Sequence, residues 1–186
     1  MERLPEETQW FAVRVKSRHE KKVSATLEYK GLESLLPLYL ARNTWSDRTQ
    51  KVELPLFPGY VFCKTDRLNR VPILSTPGVI DVVRFGRDPA AVNPEEIAAL
   101  QRLVSSGLLA QPWPRLEVGQ PVEIDEGPLA GISGVVIEVK KRPRLVLSVT
   151  LLCRAVLVEL DQSWVKAPRS HPLSARFFST SHSQVQ

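Results

Sequence analysis

The hexapeptide Phe57-Pro58-Gly59-Tyr60-Val61-Phe62 lies just beyond a polar, charge-bearing run from Thr44 to Glu53, and no charge follows until Lys64. Pro58 fixes its own φ and Gly59 reaches conformations that other residues resist. Tyr60, Val61 and Phe62 favour an extended backbone, so the stretch reads as a tight turn entering a strand. In a strand Tyr60 and Phe62 share one face while Val61 takes the other, giving one aromatic and one aliphatic face. A single core needs only one of them. The aromatic face beside a Pro-Gly turn therefore has two readings: packed interior, or a surface pocket for a partner's apolar helix.

Working outward, WFAVRVK (Trp10 to Lys16) alternates as a half-buried strand does, with Trp10, Ala12 and Arg14 on one side and Phe11, Val13 and Val15 on the other. Ser17 and Glu20 match a capping box, which predicts a helix from about Arg18 that buries Val23 and Leu27 and stops at Gly31. The text from Leu32 to Trp45 predicts a strand, followed by a polar hairpin tip near Ser46 to Gln50 and a returning strand to Phe57. Asn69 is placed to cap a short helix through Leu74, and Ser75-Thr76-Pro77-Gly78-Val79 forms a turn into the strand VIDVVRF. Asn93-Pro94-Glu95-Glu96 opens a further helix, with Ile97, Leu100 and Val104 on its inner face and Gly107 at its end. This order predicts an α+β fold: an antiparallel sheet flanked by helices, over residues 9–107.

At residues 108–115 two prolines flank Trp113 and periodicity is lost, as in a linker or hinge. Over residues 116–167 short β-rich runs (VEID, GVVIEV, LVLSVTLL, AVLVEL) alternate with EGPLAG and KKRPR, a spacing that suits a small all-β, SH3-like barrel. Glycines 127, 131 and 134 with Pro128 and Pro143 would penalise any helical alternative, so this segment is expected to be β in the full chain as well as alone. On that basis the Phe57 and Tyr60 surface is expected to be open. Residues 168–186 carry Pro, Ser and His without a periodic apolar face and are expected to be a disordered tail.

Of the 186 residues 43% are hydrophobic and 24% charged, the composition of a globular chain. No stretch has the apolar length to span a bilayer, and MERLPEETQW carries Glu2, Glu6 and Glu7 without an apolar signal core. A cytoplasmic, monomeric protein without membrane contact is expected. Cys63 and Cys153 sit in apolar runs and read as buried small hydrophobes, with no metal-ligand spacing. His19, His171 and His182 lie beside no evident nucleophile, and no phosphate-binding loop occurs, so neither enzyme chemistry nor a cofactor is expected. The net charge is +5, and Arg14, Lys16, Arg18, Lys21 and Lys22 stand against Glu20 alone within residues 14–22. Cations in the first turns of a helix oppose its dipole. Such a cluster is either a solvated helix end or an anion site, and nucleic-acid phosphate is the natural anion.

Trp10-Phe11-Ala12-Val13, the basic first helix, Leu56-Phe-Pro-Gly-Tyr-Val-Phe62, Ser75-Thr-Pro-Gly-Val79 and the glycine-spaced run from Val118 to Val136 occur in an order that resembles the NusG family of transcription elongation factors. The resemblance covers residues 9 to about 167 and implies an N-terminal NGN domain followed by a KOW domain. It implies that Phe57, Pro58, Tyr60 and Phe62 help form a depression for the clamp helices of the largest RNA polymerase subunit, with Trp10 either their neighbour or a core residue. It further implies that Ser75 and Thr76 touch the other large subunit across the cleft, so that bridging both sides suppresses pausing or termination. Lys16, Arg18, His19, Lys21 and Lys22 would face non-template DNA or nascent RNA. RHEKK and the compact first domain are similar to specialised paralogues of the UpxY, LoaP and RfaH types, which act on selected operons; housekeeping NusG and a ribosome- or RNA-binding KOW protein are the alternatives. Leu129, Ile132 and Leu152 occupy the KOW surface that would meet a ribosomal small-subunit protein or Rho, where aromatics are usual, and Cys153 replaces a usual glycine.

Overall fold

The computed structural model describes residues 8–45, 48–66, 69–113, 120–124, 126–139, 142–161 and 164. The expected tail at 168–186 lies outside them, as do residues 46 and 47 of the hairpin tip expected near Ser46 to Gln50, whereas residues 48–50 of that expected tip are strand. Strand β1 (Gln9–Val15) is followed by α1 (Glu20–Tyr29), β2 (Glu33–Leu35), β3 (Leu38–Trp45), β4 (Arg48–Pro55) and β5 (Tyr60–Thr65). Next come α2 (Val71–Leu74), β6 (Val79–Val82), the short hairpin β7 (Arg84–Phe85) and β8 (Asp88–Pro89), and α3 (Pro94–Ser106). The remainder is β9 (Ala110–Trp113), β10 (Gln120–Glu123), β11 (Ser133–Val139), β12 (Arg142–Val149), a 3-10 turn at Thr150–Leu152 and β13 (Arg154–Glu159).

The fold is α+β. A four-stranded antiparallel sheet of order β2-β5-β1-β6 precedes a five-stranded antiparallel sheet of order β10-β11-β12-β13-β9, with β3 and β4 as a separate hairpin. The single strand predicted from Leu32 to Trp45 is two strands, because Pro37 cannot donate to a ladder and turns the chain out of the first sheet. The residues of β1 divide between its two faces as predicted, but the strand is not half-buried: Ala12 is buried on one face as Phe11, Val13 and Val15 are on the other. Arg14 pairs with Tyr60 and Ala12 with Phe62 across β1 and β5, so all four share a face. Phe11, Val13, Val15, Val61 and Cys63 form the opposite face, buried under Val23 and Leu27 of α1 and Ile73 of α2.

Three local expectations are corrected. The capping box at Ser17 and Glu20 does not form: α1 starts at Glu20 behind an uncapped His19, because the Glu20 carboxylate is drawn away to the backbone of Gly59. The α2 N-cap is Arg70, without a side-chain cap, rather than Asn69. In α3 Leu103 is buried and Val104 is 48% exposed, since the inner stripe runs through Ile97, Ala99, Leu100 and Leu103. The α3 start matches expectation, with the Asn93 side chain accepting from Glu95 N at 2.8 Å and Gly107 in the left-handed region at the end.

The segment expected as a linker is not one throughout. Ala110–Trp113 pair antiparallel with β13 and complete the edge of the five-stranded sheet. An edge strand tolerates Pro112, whose missing N–H leaves no interior ladder bond unmade. Within that sheet Gly134 is required by close approach: a Cβ there would meet Leu145 Cδ1 at 2.6 Å and Val146 O at 3.0 Å. Cys153, expected to be buried, is exposed and follows the 3-10 turn at φ 49°, a left-handed backbone that disfavours any side chain. Cys153→Gly is expected to stabilise the protein by about 1 kcal/mol, seen as a higher urea midpoint with an unchanged slope; an unchanged or lower midpoint would show that no strain resides there.

Candidate partner-binding surface

The Phe57–Phe62 turn is fixed from α1. Gly59 adopts φ 84°, its N–H donates to Glu20 Oε1 at 2.9 Å, and its carbonyl accepts from Val15 N at 2.9 Å. Glu20 is 5% exposed, so a carboxylate that sequence reading placed at a helix cap instead ties the basic segment to the aromatic turn. Phe57 and Phe62 pack edge to face, with ring centroids 5.6 Å apart.

Neither ring is open to solvent. Phe57 and Phe62 are buried in an apolar cluster that includes Ala12, Leu56 and α3's Ile97, Leu100 and Leu103, and that continues into Ile124, Leu129, Ile132, Leu145, Leu147 and Val149 of the C-terminal segment. Tyr60 and Trp10 are half-buried against it. The guanidinium of Arg154 lies over the Tyr60 ring, 5.3 Å from its centroid. Glu96 Oε1 accepts from Thr150 N at 3.0 Å and from its hydroxyl at 2.6 Å, and Arg102 donates to the Ala130 carbonyl. The expectation of an open Phe57 and Tyr60 surface is therefore overturned: the five-stranded sheet and its connections cover it. Of the three C-terminal residues expected to face a partner, Leu129 and Ile132 are buried in this contact and Leu152 is half-buried beside it. Pro58 alone of the hexapeptide is exposed.

Ser75 and Thr76 follow α2. Ser75 is exposed, whereas Thr76 is 2% exposed and its hydroxyl donates to the Pro72 carbonyl at 2.9 Å. Lys30 Nζ reaches Pro72 O, Ser75 Oγ and Thr76 Oγ1 at 2.7, 3.2 and 2.8 Å, so the last residue before Gly31 pins this turn. Nothing in the spacing of Lys30 announced that role. In the basic segment Lys16, Arg18, Lys21 and Lys22 are exposed and His19 is half-buried against Gly78. Lys21 pairs with Glu53 at 3.0 Å, which partly neutralises the cluster. Among the described residues no group of three or more His, Cys, Asp or Glu is placed to hold a metal, and no helix is long and apolar enough to cross a membrane.

The model of the family described as "Transcription termination factor nusG" matches residues 8–101. The chain is 32% identical over 168 residues to the transcription termination/antitermination protein NusG of Vibrio vulnificus, covering 82% of this chain and 91% of that protein. The chain belongs to the NusG family. Its relatives include NusG of Neisseria meningitidis, 31% identical over 174 residues with 84% and 96% of the two chains covered. NusG of Pseudomonas aeruginosa is 30% identical over 172 residues, with 84% and 97% covered. A structure described as "Domain interaction in Thermotoga maritima NusG" shares the fold, at 24% identity and a TM-score of 0.52, covering 88% of this chain and 98% of that one. As a NusG-family member the chain is a transcription termination/antitermination factor.

One substitution and one labelling experiment probe the framework beneath the surface. Glu20→Ala leaves the part-buried Gly59 N–H without its side-chain acceptor and is expected to destabilise the protein by about 1 kcal/mol, measured by urea unfolding. Burial, aided by the nearby Glu33 charge, pushes the Cys63 thiol from 9.0 up to about 12. The unfolded chain then releases a proton from about pH 9 that the folded chain retains up to about pH 12, so this thiol's contribution to stability is intact below pH 9 and falls between the two values. In the native protein a thiol reagent at pH 8 should modify Cys153 and spare Cys63; equal labelling would contradict the burial.

Proposed function

We propose that this NusG-family chain is a cytoplasmic elongation and antitermination factor that binds RNA polymerase through an N-terminal NGN domain, residues 9–107, and carries a C-terminal KOW domain within residues 116–167. Phe57, Tyr60 and Phe62, with Trp10 and Pro58 at the margin, are the proposed seat for the polymerase clamp helices, and Ser75 for the facing subunit. Thr76 serves that second contact through the shape of its turn, since its hydroxyl is used internally. Lys16, Arg18, His19 and Lys22 are the proposed face toward non-template DNA or nascent RNA, with Lys21 shared with Glu53. The mechanism is binding and population shift, without covalent chemistry.

The observation that carries this reading is the covered aromatic seat. Phe57 and Phe62 are chemically suited to an apolar helix, yet in the free chain the C-terminal segment occupies their place and Arg154 lies over Tyr60. Binding by such a factor is conditional on opening, which favours action on selected operons over continuous association with every elongating polymerase. Leu129 and Ile132, drawn into the same contact, become available to a ribosomal protein or Rho only after release.

Retention on immobilised RNA polymerase tests this. Tyr60→Asp should abolish binding, because a carboxylate would be desolvated in the apolar interface, while the half-exposed position lets the variant fold. Arg154→Ala removes a contact of about 0.5–1 kcal/mol and should raise retention roughly two- to fivefold by favouring the open state. Full binding by a folded Tyr60→Asp variant overturns the seat, and unchanged retention of Arg154→Ala overturns the cover.

A further inference from the structure

Beside the covered seat, a groove of about 500 Å³ remains open, lined among others by Arg14, Tyr60, Asp81, Val83, Arg84 and Arg87. Its chemistry is one-sided. Three guanidiniums meet a single carboxylate, and both oxygens of that carboxylate are engaged: Asp81 Oδ1 accepts from Val82 N at 2.9 Å, and Oδ2 pairs with Arg84. Arg14 and Arg87 are exposed and make no ion pair among the described residues. On the other side of the hairpin Asp88 stands opposite Phe85, whose ring is 86% exposed.

The groove is continuous with the seat. Arg14 lies in register with Tyr60 on the same face of the sheet, and Tyr60 forms one wall of the groove while carrying Arg154 over its ring. A ligand in the groove is therefore adjacent to the Arg154–Tyr60 contact, one of the polar contacts that hold the cover on the aromatic face. Whatever occupies both regions must present negative charge to Arg14 and Arg87 and apolar surface to Phe57, Tyr60 and Phe62. A nucleic-acid backbone supplies the first without the second. An amphipathic protein helix with an acidic edge supplies both.

We propose that the Arg14–Arg84–Arg87 groove is the first docking point for an acidic edge of the polymerase segment that later fills the aromatic seat. This inference rests on the polymerase-binding reading. The acid pairs with Arg14 and Arg87 while the cover is still closed, then competes with Tyr60 for Arg154 and so favours exposure of Phe57 and Phe62. Docking and opening are thereby linked, because the charge that steers the partner in is next to the cation that must leave.

The test uses the full-length chain with nucleic-acid-free core RNA polymerase, measuring association rate and affinity against salt. Arg14→Glu with Arg87→Glu should slow association about tenfold and flatten its salt dependence, as expected when rim charges steer encounter. Arg14→Lys with Arg87→Lys should remain within threefold of the unaltered protein, since charge is kept. Equal thermal melting of the variants checks folding, and if the charge-reversed pair fails to fold, Arg14→Gln with Arg87→Gln provides the same comparison through its salt slope. Unchanged rate and slope in the charge-altered variants overturn the proposal, as does a loss confined to single-stranded DNA or RNA binding. Tyr60→Asp run alongside separates the two ideas: its loss of binding with unaffected arginine variants leaves the seat and removes the groove, whereas its full binding with impaired arginine variants removes the seat and leaves the groove.

Discussion

A sheet with two apolar faces requires two covers, and this requirement organises the molecule. In β1 and β5 residues of both parities are buried: Phe11, Val13, Val61 and Cys63 on one side, Ala12 and Phe62 on the other. Helices α1 and α2 cover the first face. Helix α3, with Leu56 and Phe57, covers only part of the second, and the five-stranded sheet with its connections completes it. At roughly 25 cal/mol per Å² of apolar area, leaving two phenylalanines and their neighbours in water would cost several kcal/mol. The C-terminal segment is therefore a structural partner of the first sheet in the free chain.

That role makes sense of the polar contacts at the boundary. Glu96 with Thr150, Arg102 with Ala130 and Arg154 with Tyr60 are few, and most include exposed groups, so each adds little beside the apolar burial. They set the register of the cover more than its strength. A contact built this way can be exchanged for another apolar partner without leaving buried charges stranded, which suits the proposed exchange for a polymerase helix.

Much of the first sheet was legible in the sequence because its signals are local. The alternation in WFAVRVK, the Asn93-Pro94-Glu95-Glu96 helix start and the β-branched runs after Val118 each specify their element within a few residues. The covering of Phe57 was not legible, because aromatic residues read alike whether they meet solvent, a partner or another part of their own chain. Glu20 was misplaced for a related reason: S-x-x-E matches a capping box, but a tertiary acceptor role at Gly59 outcompetes the local one. Ala110–Trp113 defied recognition because prolines erase strand periodicity, and only the unpaired edge of β13 reveals that a strand is needed there. The Arg84-Phe85-Gly86-Arg87 hairpin passed as the end of a strand, since its significance lies in what β1 places beside it.

The pairing of β9 with β13 sets how far the cover can travel. Between Gly107, where α3 ends, and Ala110, where β9 begins, there are two residues, Leu108 and Leu109. From Gly107 to Ala110 is three residue steps, which reach about 10 Å when extended. With β9 paired, the C-terminal sheet can tilt from the aromatic face but cannot leave its vicinity, so its local concentration there stays far above that of any free protein. A competitor gains the face lastingly only if β9 is stripped from β13, lengthening the tether several-fold and forfeiting an edge strand. Under the proposed function, a weak partner would have only a short-range tilt to exploit, and long-range release would be reserved for one that binds tightly enough to unzip a strand.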